Sequence, residues 1–116
     1  MVYENDIKDR TKKFAISTIK KTFLLREKGV EFSLRDQFLR SGTSIGANVR
    51  EAKASSTKKE LIRFYEIALR SANELDYWMD VISEGYNFEN EFLEEEKQEL
   101  NEISKVLDSI VVNLKK

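Results

Sequence analysis

Residues 93–114, LEEEKQELNEISKVLDSIVVNL, place leucine at every seventh position: Leu93, Leu100, Leu107 and Leu114, with Ile103 and Ile110 between them. Apolar residues three and four apart share one side of an α-helix, and a sustained 3-4 spacing favours nearly parallel packing against other helices. Three more helical stretches precede this one. The third opens on Thr57-Lys58-Lys59-Glu60, a capping box, and runs to Glu84 before Gly85. It sets Leu61, Phe64, Ala68, Leu75, Trp78, Met79 and Ile82 on one broad face, with Phe64, Leu75, Trp78 and Ile82 expected in the core against the helix 4 repeat. The second begins after Ser33, read as its cap with Asp36 at N3, and reaches about Ser55. The first runs from about Asp6 to Lys28 and stops at Gly29, while the fourth starts near Asn90. No stretch alternates with period two long enough for a strand. The expected fold is all-α, an up-and-down four-helix bundle forming one domain over residues 1–116.

Composition narrows the chemistry. Pro is absent and Gly occurs only four times, which suits helices joined by short turns. Cys and His are both missing, which removes disulfides, thiol nucleophiles, Cys/His metal sites and imidazole acid–base catalysis. A di-iron bundle enzyme lacks its Glu-x-x-His ligands here, and a bundle ribonuclease lacks a catalytic His. No enzymatic activity, cofactor or metal is therefore expected. The first residues lack a basic head followed by an apolar stretch, and no window approaches about 18 consecutive apolar residues. A cytoplasmic protein without membrane contact is the expectation.

Charge is unevenly divided, although 20 Lys and Arg nearly balance 21 Asp and Glu. Residues 1–60 hold 14 basic against 8 acidic side chains, and residues 61–116 hold 6 against 13. The first hairpin is basic and the second acidic. Much of the acidic run, from Glu89 to Glu102, reads as a solvated helix start favoured by the macrodipole, or as a match for the basic half of another copy.

Helix 2 carries an unusual stripe. Beside a thin apolar face of Leu34, Phe38, Ile45, Val49 and Ala52 run Gln37, Ser41, Ser44, Asn48, Glu51 and Ser55, spaced alternately four and three. Gly42 and Gly46 together cost this helix about 2 kcal/mol relative to alanine, so close approach of another helix must offset them. Asn48 and Glu51 are expected in a polar network that includes Ser44, their partners being Arg40 or Arg50 on the same helix, or Ser71 and Glu74 on helix 3.

The segment Arg40 to Ala52, RSGTSIGANVREA, resembles the signature of small bacterial four-helix-bundle proteins, some of them encoded in intervening sequences of 23S rRNA genes. Arg10-Thr11-Lys12, Phe14-Ala15, Ala72, Glu74 and Tyr77-Trp78 extend the likeness over residues 10 to 83. The chain departs from it at Ser71, where related sequences often carry Glu, and at Phe64, where some carry Lys. The resemblance implies a ring-like homopentamer without enzymatic activity. It also implies kinship with the accessory protein of diversity-generating retroelements, a pentamer that binds nucleic acid and a reverse transcriptase.

Two functional expectations follow. The first is a homo-oligomeric assembly protein. Apolar residues off the bundle faces, Ile16, Ile19 and Phe23 on helix 1 with Ile62 and Leu69 on helix 3, are the candidate interface. The alternative is an accessory protein holding RNA or DNA weakly through the basic hairpin, with Lys12, Lys13, Lys20, Lys21, Arg50, Lys53, Lys58 and Lys59 as candidate phosphate contacts.

Overall fold

The computed structural model describes residues 2–116, and the side chains of residues 7–89 and 92–116. It is an all-α four-helix bundle: α1 Val2–Glu27, α2 Phe32–Ala54, α3 Lys58–Gly85 and α4 Glu94–Lys115, with a short 3-10 turn at Asn90–Leu93. The helices occupy the corners of a square. α1 packs on α2 and α4, and α3 packs on the same two from the opposite corner.

Short connections force each helix antiparallel to the last. α1 ends in a Schellman motif: the Val30 N–H donates to Leu25 O at 3.0 Å and the Gly29 N–H to Arg26 O at 3.0 Å. Gly29 has φ +81°, the left-handed conformation that glycine adopts without penalty. Leu25 and Val30 are buried together under the turn. Thr57 caps α3 as expected, its hydroxyl accepting the Glu60 N–H at 3.1 Å.

Four boundary expectations are corrected. α1 begins at Val2 rather than Asp6. Ser33 does not cap α2: the helix starts at Phe32, and Glu31 at the cap position makes no side-chain cap bond. Tertiary contacts hold this start instead, since Glu31 N–H donates to the Tyr86 hydroxyl at 2.9 Å and Arg35 Nε to Val30 O at 2.9 Å. Gly85 stays helical, and the left-handed residue that ends α3 is Asn87, φ 54°. There the Phe88 N–H reaches back to Ser83 O at 2.9 Å, a second Schellman closure. Asn90 begins a 3-10 turn, so α4 itself starts at Glu94.

The helix 4 repeat faces inward: Leu93, Leu100, Ile103, Leu107 and Ile110 are buried, with Leu114 packed at the end of the core. From α3 the buried line is Tyr65, Ala68, Ala72, Leu75, Met79 and Ile82. Phe64 and Trp78, expected in the core, instead flank that line at half burial, and the Trp78 indole N–H donates to Glu74 Oε1 at 3.4 Å. The face is rotated by about one residue: a spacing of three and four from Tyr65 passes through Ala68 and Ala72, whose small side chains bring α2 close. Phe38, Ile45, Val49 and Ala52 of α2 fill the opposite wall.

The glycines of α2 are explained at the α1 seam. An alanine Cβ at position 42 would lie 2.5 Å from Thr18 Cγ2, and one at position 46 would lie 3.0 Å from the Thr11 carbonyl oxygen. Both threonines are fully buried, and each satisfies its hydroxyl within α1. Thr11 donates to Ile7 O at 2.7 Å and Thr18 to Phe14 O at 2.9 Å. A polar pair of helix surfaces thereby packs without an unsatisfied group.

Candidate functional site

Three sets of residues singled out by sequence meet different fates. On the polar stripe of α2, Asn48 Nδ2 donates to Ser44 O at 2.8 Å and to Ser44 Oγ at 3.0 Å. Ser71 Oγ donates across to Ser44 Oγ at 3.0 Å, joining α3 to α2. The network is thus Ser44, Asn48 and Ser71. Arg40 and Glu74 border the groove over this hydroxyl pair without entering it. Arg40 instead binds Asp36 one turn away at 3.1 Å, while Glu74 receives the Trp78 indole. Arg50 and Glu51 are exposed and stand outside the network. Arg50, two positions beyond Asn48, has turned about 200° around the helix toward α1. At position 71, serine is short enough to let the Ser44 hydroxyl reach it directly.

The candidate phosphate contacts do not form one face. Lys12, Lys20, Lys58 and Lys59 are exposed, but the first two lie on α1 and the last two at the start of α3. Lys13 is paired with Asp9 at 3.1 Å, and Lys53 is half-buried near the α2–α3 turn. Lys21 is not a surface contact at all. Its ammonium donates to Phe92 O at 3.2 Å, lies 3.6 Å from Glu96 and sits 4.8 Å from the centre of the Phe92 ring. Glu96, read from sequence as part of a solvated run, is buried and faces this lysine. Only the fold brings the two together, because 75 positions separate them.

The basic and acidic hairpins also meet within the chain. Arg10 grips Glu99 through two hydrogen bonds of 2.6 and 2.7 Å, with Glu102 at 3.5 Å. The bond to Glu99 raises the Arg10 pKa above its already high ordinary value, although burial opposes the shift. On the far side Lys97 donates to Asp80, a bond that raises the lysine pKa against the opposing effect of desolvation. The α1–α4 pairs thus set basic residues of the first hairpin against acidic residues of the second, whereas Lys97–Asp80 pairs charges within the acidic hairpin.

Of the candidate interface residues, Ile16, Ile19 and Phe23 are 45%, 44% and 62% exposed and run along the outer side of α1. Ile7, Phe14 and Leu25 on the same helix point into the core. Ile62 and Leu69 are only half-exposed, and Leu69 packs against the core edge. They stand on α3, diagonal to α1, so the two groups form separate patches. Phe32, Tyr77 and Val112 are further exposed apolar side chains that helical periodicity did not single out.

Among the described residues no His, Cys, Asp and Glu cluster is arranged to hold a metal ion, and no helix is long and apolar enough to cross a membrane. No curated protein matches the chain. Among solved structures, a crystal structure from Bacteroides thetaiotaomicron, described as a protein of unknown function from the S23 ribosomal protein family, is similar. It shares 36% identity and superimposes with a TM-score of 0.89, covering 94% of this chain and 97% of that one. Residues 3–109 match the family described as 23S rRNA-intervening sequence proteins. The chain belongs to the 23S rRNA-intervening sequence protein family.

Proposed function

We propose that this protein is a non-enzymatic assembly unit whose first partner is another copy of itself. The observation that carries the reading is the α1 stripe. Ile16, Ile19 and Phe23, spaced three and four, leave on the outside of a small bundle an apolar line that the core does not use. Diagonally opposite, α3 offers Ile62 and the exposed ring of Tyr77. Contact between two different patches is heterologous, and repetition of one such contact closes a ring. The resemblance supplies the number five. The lack of His and Cys in the sequence supports a role without catalytic chemistry.

Light scattering after gel filtration tests the reading. A mass that is a multiple of 13.6 kDa is expected. A mass of one chain at micromolar concentration would refute it.

A second reading has its own support: Lys12, Lys20, Lys58 and Lys59 are exposed cations without an ion-pair partner among the described residues. Repeated around a ring, they would hold RNA or DNA weakly by counterion release. Salt-sensitive retention of the protein on single-stranded nucleic acid is then expected, lost well before about 0.5 M salt, whereas sequence-selective binding that survives such salt would contradict it.

A further inference from the structure

The seams of the bundle differ in how their charges are answered. α1 and α4 are bridged by Arg10–Glu99 and Lys21–Glu96, and α3 and α4 by Lys97–Asp80 and Lys115–Glu66. The α1–α2 seam has no bridge of this kind among the described residues. It opens instead into a cleft of about 350 Å³, within the size range of small-ligand sites. Lys8 and Lys12, one turn apart on α1, line this cleft with Arg50 of α2. All three are exposed and none is paired with a described carboxylate. Like charges one turn apart repel, and a third cation opposite adds to that repulsion. Among the described residues of the lining, the acidic one, Asp9, is turned to Lys13 at 3.1 Å.

The rest of the lining is small. Ala15, Gly46 and Ala47 leave a recess beneath the cations rather than a ridge between them. Gly46 is already required for contact with Thr11, so the close approach of the helices and the recess share one cause.

We infer that this cleft is a binding site for a phosphate group. Phosphate answers three cations around one cleft better than a single carboxylate does: inorganic phosphate or a monoester brings up to two charges, and consecutive diesters of a strand bring one each. The Arg50 guanidinium presents the planar fork that matches two phosphate oxygens, while Lys8 and Lys12 act as point charges on the remainder. The phosphate could be inorganic, a monoester on a small molecule, or a diester in a nucleic-acid strand. Only the last source rests on the second reading above.

The test uses the full-length labelled protein and backbone amide NMR shifts. Inorganic phosphate, titrated against chloride at matched ionic strength, is expected to shift residues 8, 12, 46, 47 and 50 in a saturable way. Lys12→Gln with Arg50→Gln should weaken that binding at least tenfold, as should Ala47→Glu, which puts a carboxylate in the recess at an exposed position. Lys58→Gln with Lys59→Gln should leave it within twofold. A short single-stranded oligonucleotide is the second ligand. Binding tighter than phosphate and lost in the cleft variants identifies a diester, whereas phosphate binding without oligonucleotide binding identifies the other sources and removes the second reading alone. The inference is overturned if phosphate shifts nothing, or shifts all surface lysines alike. Oligonucleotide binding that ignores the cleft variants but fails in the Lys58/Lys59 variant removes the diester source at the cleft, while leaving the second reading intact.

Discussion

Replacing Gly42 with alanine sets two known effects against each other. Alanine is favoured over glycine inside a helix by about 1 kcal/mol. Against this, the new Cβ would stand 2.5 Å from Thr18 Cγ2, 2.7 Å from its Oγ1 and 3.0 Å from its Cβ. Thr18 is short, β-branched and fully buried, so it has no flexible end to swing aside. Relief requires either a new rotamer, breaking the 2.9 Å bond from its hydroxyl to Phe14 O, or separation of α1 from α2. Overpacking costs about 1–3 kcal/mol, and a buried hydroxyl left unpaired about 1–3 kcal/mol more where the bond breaks. The net expectation is a loss of about 1–2 kcal/mol, a fall in melting temperature of about 4–8 °C for a chain of this size. Gly85 provides the control. It is helical, and a Cβ added there would meet nothing within 4 Å, so Gly85→Ala should gain about 0.5–1 kcal/mol. Urea unfolding at one fixed protein concentration reads both, since association contributes equally to each. Adding Thr18→Ser, which removes Cγ2, should recover part of the Gly42→Ala loss. If Gly42→Ala is as stable as the parent or more so, the glycines are not there for close helix approach.

Leu107→Ala, at a fully buried position, should cost about 2–5 kcal/mol in urea unfolding through lost transfer energy and the cavity left behind; a loss under about 0.5 kcal/mol would put the helix 4 repeat outside the core. Asn48→Ala removes two hydrogen bonds to Ser44 and should cost about 1 kcal/mol, whereas Glu51→Ala, exposed and outside the network, should be near silent; equal effects would contradict the three-residue network. Lys97, whose folded pKa is raised by its bond to Asp80, contributes stability that is complete below its unfolded pKa of 10.5 and is lost as pH rises through the higher folded value. Lys97→Met should therefore flatten the alkaline fall in stability above about pH 10, and an unchanged slope would show that the pair does not contribute.

The fold is legible in the sequence because its signals are local. The seven-residue repeat of α4, the Thr57 cap and the Gly29 stop each depend on neighbours in sequence, and each appears in the structure. The start of α2 is not legible in this way: Ser33 is a good cap by composition, while the Tyr86 hydroxyl and Arg35 fix the helix two positions earlier. Asn87 takes the left-handed role that glycine chemistry assigns to Gly85, since asparagine also tolerates that region. Trp78 is large and apolar, which argues for the core, yet its indole N–H favours the rim, where Glu74 receives it.

The site is less legible because its partners are distant in sequence. Ser44–Ser71 lies within reach of the stripe argument, but Lys21–Glu96 and Arg10–Glu99 do not, as each joins the first helix to the last. A composition count treats such residues as surface charge. The cleft at Lys8, Lys12 and Arg50 likewise arises only where two helices cross.

On the proposed reading, the outer face of α1 joins one copy of this chain to the next. Light scattering after gel filtration, run on the parent and on an Ile19→Asp/Phe23→Glu variant, tests it most directly. Both positions are exposed in the single chain, so the variant should fold with an unchanged helical circular dichroism spectrum. The expected parent mass is two or more times 13.6 kDa, and the expected variant mass is that of one chain. A parent that already runs as one chain, or a folded variant that keeps the full assembly, would contradict this reading.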